Sequence, residues 1–358
     1  MTGSYADEWR VAADDFPAHG GPAEKLRFLA RYALLAPSGH NGQPWRFHLA
    51  GDVLQIRADH TRALPTIDPH DRELLIACAA ALHHAQVAVR HFGYQPVIAI
   101  LPESADADLV ATLRIGPPVG RPPAGLFAAV TTRHCNRGPY RKQPLSMAQL
   151  ERLRAAAVAE GCWLAVITDR STKAAAADLI AAGDRIKWRD PEFRNELAER
   201  LIPNRGRRRD GMPGYAFGIP GPAARLAPTV VRRLDLGSLR AHTDRAAANA
   251  SPALLVIGTD RDDPPAWIAA GQAMSHVLLS ATAEGLATAF LSQAIEVPEL
   301  RPRLAALLEH RGQPQILLRV GHPRRRPRLA PRRPIDEVLT STGPAGDGNA
   351  ATTPRRPS

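Results

Sequence analysis

The stretch Ala36-Pro37-Ser38-Gly39-His40-Asn41-Gly42-Gln43-Pro44-Trp45-Arg46-Phe47 ends a helical pattern and opens a strand. Ahead of it, residues 23–35 place Leu26, Leu29, Ala30, Ala33 and Leu34 at helical spacing, and Pro37 with Gly39 stops the run. Behind it, residues 45–49 and 53–56 read as two short strands around the Gly51-Asp52 turn. The connecting loop carries small residues at Ser38 and Gly39, where backbone can come close to a flat partner. Asn41 and Gln43 follow, and each can both donate and accept hydrogen bonds.

Further along, residues 72–92 form a long Ala-rich helix closed by Gly93, and 97–101 and 113–115 are strands. Residues 116–125 are rich in Gly and Pro and read as a linker. Helices then fall at 126–132, 150–158, 174–186, 191–201 and 266–284, and strands at 162–168, 254–258, 287–291 and 316–321. Residues 204–222 mix Gly, Pro and Arg and read as a mobile loop, and residues 341–358 as a disordered tail. One register pairs His84 with His276, Ala81 with Ala273, Leu82 with Met274, Val87 with Leu279 and Gly93 with Gly285. It suggests an internal repeat, although two buried Ala-rich helices also look alike without one.

The opening stretch closely resembles the APSxxNxQPW signature of the nitroreductase family. Arg133-His134-Cys135-Asn136-Arg137-Gly138-Pro139-Tyr140 resembles that family's phosphate-binding RRSxRxF segment. Arg332-Arg333-Pro334-Ile335-Asp336-Glu337 resembles its basic terminal segment, and residues 285–293 its GLG-to-strand element. The resemblance implies an α+β, nitroreductase-like sandwich that binds FMN. The Pro-Ser signature occurs only in the first half, and the Arg-rich segment and terminal Arg pair only in the second. This is similar to the duplicated, single-chain Acg-like branch. Two tandem degenerate half-copies, 1–125 and 126–340, would form a pseudodimer with one composite flavin site, and 204–222 could cover it as a lid.

On this resemblance Arg133, Arg137, Arg332 and Arg333, with His134, Cys135 and Asn136 between the first two, surround the phosphate. A phosphate suits Arg forks better than Lys. Ser38, Gly39 and Asn41 meet the flavin from the first half, and Ser292 and Gln293 lie beneath its N5 edge. No side chain is expected to be catalytic, since the hydride chemistry is the cofactor's. Cys135 stands at the family's Ser position, and a packing or phosphate-facing role outweighs a nucleophilic one.

A net charge of +11 invites a nucleic-acid reading, but eight Arg against three acids fall in residues 321–358, with no aromatic residue among them for base stacking. No nucleic-acid partner is expected. No apolar run approaches the roughly 20 residues of a membrane span, and the polar start is unlike a signal peptide. Cys78, Cys135 and Cys162 match no zinc or disulfide spacing, and His60, Asp68, His70 and Asp71 fit no standard metal site, so no metal and a cytoplasmic location are expected. His83 and His84 read as core or rim residues of their helix. Phosphate-loop and Gly-x-Gly-x-x-Gly patterns are absent. The resemblance implies a monomeric oxidoreductase passing hydride from NAD(P)H to a small electron-poor acceptor, nitroaromatic or quinone, by a ping-pong mechanism. It leaves two alternatives open, an FMN-storing protein with little turnover and flavin chemistry on a dedicated metabolite.

Overall fold

In a computed structural model that describes residues 7–122, 125–310, 312–326 and 328–342, the first elements follow the sequence pattern closely. Helix α1 (Pro22–Ala33) begins with Pro in its first turn, and the Glu24 carboxylate accepts from the Gly21 N–H at 2.9 Å. The hairpin β1 (Trp45–Ala50) and β2 (Val53–Ala58) alternates buried and exposed side chains. Helix α2 (Arg72–His91) is buried along almost its whole length. Strands β3 (Tyr94–Ile100) and β4 (Leu109–Pro118) complete this part, followed by α3 (Gly125–Val130) and α4 (Met147–Val158).

The remainder runs through β5 (Trp163–Ile167), α5 (Arg170–Arg189), α6 (Pro191–Arg200) and the paired two-residue strands β6 (Leu201–Ile202) and β7 (Met212–Pro213). Helices α7 (Gly221–Ala224), α8 (Ala227–Arg233) and α9 (Gly237–Ala250) precede β8 (Ala253–Thr259) and α10 (Pro264–Ala283). Then come β9 (Ala287–Phe290), α11 (Gln293–Glu296), α12 (Arg301–Leu307), β10 (Gln313–Gly321), α13 (Ile335–Val338) and β11 (Leu339–Ser341).

Two sheets result. One has the order β11-β1-β2-β4-β3 and the other β5-β8-β10-β9. Every neighbouring pair is antiparallel except β1 with β11, where Phe47 faces Leu339 in a parallel ladder. Strand β8 is buried at all seven positions, as a strand covered on both faces must be. Its alternate residues divide between two cores: Ala253, Leu255 and Ile257 join the large core with α2 and α10, while Leu254 and Val256 join Ala176, Ile180 and Ala248 of α5 and α9.

Helices α2 and α10 pack against each other with the two sheets on either side. The His83 and Ser275 side chains meet at 2.8 Å, and a Cβ on Gly271 would lie 2.7 Å from that of Ala79. Both pairs are 192 positions apart, the offset that pairs His84 with His276 in the sequence.

Two expectations change, and one helix was not read from the sequence. Strand β4 runs through Pro118, so residues 116–118 are not linker. It pairs with β2 only between Leu109 and Leu113, and beyond that its free side demands no ladder bond, so prolines fit. Helix α9 escapes the apolar pattern because its buried face is Gly237, Ala241, Asp244 and Ala248. Ser341 is paired in β11 rather than part of a loose tail, and residues 343–358 lie outside the described residues.

The α2–α10 contact sets a testable limit. At Gly271 an added Cβ would strike the Ile76 carbonyl oxygen, which is backbone and cannot swing away. Gly271→Ala should destabilise by about 1–3 kcal/mol in urea unfolding, outweighing the roughly 1 kcal/mol helix-propensity gain. An unchanged or raised midpoint would mean that the helices separate freely.

Candidate functional site

A cavity of about 1050 Å³, at the upper end of small-molecule sites, is walled by the loop after α1, the first turns of α2, residues 133–139 and strands β9 and β10. Its first wall is the loop after α1, and that loop is bent by three non-glycine residues in left-handed conformation, His40, Asn41 and Gln43 (φ 46°, 56° and 52°). Such geometry is held only where surrounding bonds dictate it. Here they do. The Gln43 N–H donates to Ser38 Oγ at 2.9 Å, while the Gln43 side chain donates to Arg209 O at 2.8 Å and accepts from the Arg333 N–H at 2.9 Å. Asn41 Nδ2 donates to Gly211 O and Pro331 O, and Asn41 Oδ1 accepts from Arg332 at 2.7 Å. The two amides therefore bind protein, fastening three distant segments together, and Gln43 lies behind the cavity wall.

Two guanidinium groups meet at the end of α1. Arg133 Nη2 and Arg332 Nη2 both donate to Leu35 O, at 3.5 and 3.1 Å, and Arg332 also donates to Ala36 O at 3.0 Å. Both side chains are buried and line the cavity. Among the described residues neither has a carboxylate within ion-pair distance, and the Nε of each lacks a hydrogen-bond partner. Burial pushes Arg133 down to about 10 and Arg332 well below its ordinary value, with Arg133's charge as the second cause for Arg332. Beside them His134 falls to about 3, through burial and the same two cations. Paired cations without an anion are costly to bury. A negative group in the cavity would offset that cost.

The other expected residues fall around this point. Ser38, Gly39, Asn41, His134, Cys135, Asn136, Arg137, Ser292 and Gln293 all line the cavity, as do Arg133 and Arg332. Arg333 does not. Its side chain turns to Glu337, donating to that residue's carbonyl at 3.0 Å. Cys135 bridges to Thr288 of β9, and Asn136 N–H donates to Thr288 O, so the Arg-rich segment is fixed along that strand. Arg137 lies over the Phe217 ring at 5.0 Å.

The opposite wall carries groups that sequence spacing did not reveal. Gln293 Nε2 bridges Asp184 (3.2 Å) and Asp244 (2.9 Å), bringing together side chains from α5, α9 and α11. Burial, then the Asp244 charge, raises Asp184 to about 7. Lys187 pairs with Glu296 and is lowered by burial to about 8. His40 is neutral, held near 3 by burial and by the charges of Lys187 and Arg137. Over the top, Asn204, Gly211–Pro213 and Tyr215–Gly221 line the cavity. This segment is stitched down by Gly211 N–H to Asn41 O and by Tyr215 Oη to Leu329 O.

The family model described as "Nitroreductase family" matches residues 130–322. A candidate NAD(P)H nitroreductase of Mycobacterium tuberculosis strain H37Rv is 32% identical over 311 residues, spanning 85% of this chain and 86% of that protein. The chain belongs to the nitroreductase family. A second M. tuberculosis relative of this family, the candidate NAD(P)H nitroreductase acg, is 29% identical over 326 residues, 88% of this chain and 95% of its own. Among solved structures, an FMN- and NADPH-dependent nitroreductase from Sphigopyxis sp. strain HMH matches 61% of this chain and 99% of its own, at 21% identity and TM-score 0.41. The match to the nitroreductase model begins at residue 130, after the Pro-Ser signature. No helix among the described residues is long and apolar enough to cross a membrane.

The raised Asp184 implies a pH effect on this nitroreductase fold. An acid whose folded value is raised adds stability below its unfolded value near 4, and this is lost as pH climbs through about 7. Between pH 4 and 8 the wild type should lose up to a few kcal/mol of unfolding free energy on this account. Asp184→Asn should flatten that loss in urea melts. A slope equal to the wild type's would place the proton elsewhere.

Proposed function

We propose that the chain is an FMN-dependent, NAD(P)H-linked oxidoreductase with one flavin site per polypeptide. The observation that carries this is the Arg133–Arg332 pair, buried in the lining of a cavity large enough for a flat cofactor and without a carboxylate partner among the described residues. A phosphate there would satisfy two unpaired Nε–H groups and offset both charges. Family membership, and relatives named as NAD(P)H nitroreductases, support the same assignment. When bound, FMN would accept hydride from NAD(P)H and pass electrons to a small electron-poor acceptor, a nitroaromatic or quinone, in alternating half-reactions.

The chain's own part is positioning. Ser38 and Gly39 allow close approach of a ring, Arg133 and Arg332 hold the phosphate, and Trp9, packed 4.7 Å from the Arg332 guanidinium, keeps that group in place. Arg137 and Phe217 close the cavity from the covering segment's side. The shared 192-residue offset of the two α2–α10 contacts supports reading 1–125 and 126–340 as halves of an internal pseudodimer, with the protein a monomer in solution.

FMN should be recovered at no more than one per chain, intact after heat release. Arg133→Ala and Arg332→Ala should each purify pale but folded, with FMN affinity weaker by about tenfold or more. Arg333→Ala, outside the cavity, should stay loaded. Full occupancy in both cavity variants would refute the phosphate assignment, and recovery of FAD would refute the cofactor.

The segment over the cavity favours a second reading of the same site, a shielded flavin with little turnover. Its hydrogen bonds to Asn41, Gln43 and Leu329 are those of a cover pinned at several points. Replacing residues 205–219 with a short Gly-Ser link should speed NADPH reduction in stopped flow and hasten FMN loss together. If wild type bleaches fully within turnover time and excision changes neither rate, the cover has no gating role.

A further inference from the structure

Away from the cavity, three side chains converge where α2, α10 and the turn between α4 and β5 meet. His276 Nδ1 lies 3.0 Å from Glu160 Oε1, and His83 Nε2 lies 3.5 Å from that same oxygen. One ligand atom from each of the three falls within 4.8 Å of the others. His83 is fully buried, while Glu160 and His276 are partly open to solvent at 17% and 21%. The other nitrogen of His83, Nδ1, is held by Ser275 Oγ at 2.8 Å. Nothing in the proposed flavin chemistry uses these residues.

A hydrogen-bonded triad explains only half of this. The His276 contact is of hydrogen-bond length, but 3.5 Å from His83 Nε2 exceeds the range of a sound N–H···O bond. Two ligands of a tetrahedral zinc ion, each about 2.0–2.1 Å from the metal, stand about 3.3 Å apart. The two distances at Glu160 bracket that value. Two imidazoles and a carboxylate are a common catalytic-type zinc set, with a fourth position left to water. The Ser275 bond supplies what metal-bound histidines regularly have, a partner on the second nitrogen that fixes the tautomer. With Nδ1–H donating to Ser275 Oγ, the Nε2 lone pair points at the site.

We infer that His83, Glu160 and His276 form a binding site for a divalent cation of zinc type, completed by water on the exposed side. Sequence spacing hides it, because the three ligands are 77 and 116 residues apart and come from three elements. The ion would clasp α2 to α10 at the seam of the two sheets, next to the Gln86–Gln272 contact. It would lie apart from the cavity, since none of the three ligands lines that wall.

The test uses full-length, tag-free protein stripped with a chelator and titrated with Zn²⁺ by calorimetry, alongside thermal melts with and without the metal. One Zn²⁺ per chain should bind with micromolar or tighter affinity and raise the melting temperature. His276→Gln and Glu160→Gln should each weaken binding by at least about tenfold and shrink the zinc-induced shift, and Ser275→Ala should weaken it about tenfold through the tautomer. His60→Gln should change nothing, since that exposed histidine sits between Asp71 and Asp108 elsewhere. The zinc-induced shift is compared within each variant, so a lower starting stability does not obscure the result. Absence of wild-type binding below about 100 µM, or equal affinity in the His276 and Glu160 variants, would overturn the assignment.

Discussion

Everything in this molecule is placed by the packing of α2 against α10. Each helix supports its own sheet, and small residues let their axes come close: Gly271 sits directly over the Ile76 carbonyl and Ala79. Because protein interiors are close-packed, that approach fixes the spacing of the sheets to a fraction of a side chain. The cavity lies beside this seam, with Ile76 and Ala77 of α2 and Met274 of α10 in its lining. Its ceiling and floor come from residues over 90 positions apart, as with Ser38 and Arg133, and neither could be moved without shifting the seam.

Strain and charge are concentrated on one side of this frame. The 38–43 loop holds three left-handed residues, and the adjoining end of α1 faces two guanidinium groups that have no carboxylate partner among the described residues. Each feature alone costs free energy of the order of 1–3 kcal/mol or more. They persist because the amides of Asn41 and Gln43 tie the loop to residues 209–211 and 331–333 at once. An anion would relieve the charge and leave the strained loop already shaped around it. That is preorganisation: the cost of arranging the site is met in folding and not repeated on binding.

The long elements were legible in the amino-acid sequence because each carries a strong local signal. The period of α1, the two short strands around the Gly51-Asp52 turn, and the strand at 254–258 each survive in the structure nearly as written. The position of the cavity was legible through the Pro-Ser and Arg-rich segments, which both contribute to its lining, while Arg333 turns away to Glu337. What stayed hidden depends on contacts between remote positions. The bridge from Asp184 through Gln293 to Asp244 joins three helices with no shared motif, and α9 buries small and acidic residues that no hydrophobic pattern marks. The roles of Asn41 and Gln43 were hidden for the same reason. Their amides suit a flavin edge or a backbone carbonyl equally well, and only the fold decides which is near.

Strand β11 is the last element of the described chain, yet it pairs with β1, one of the first. Arg332 lies just before it, hydrogen-bonded to Leu35 and Ala36. During synthesis the first sheet therefore waits for its edge, and the anion site for one of its two cations, until nearly all of the described chain has left the ribosome. On the proposed phosphate assignment, a nascent chain could not hold the cofactor by both arginines until the C-terminal segment is released. Ribosomes stalled before Arg332 would carry a fold with its scaffold nearly complete and its binding site half made.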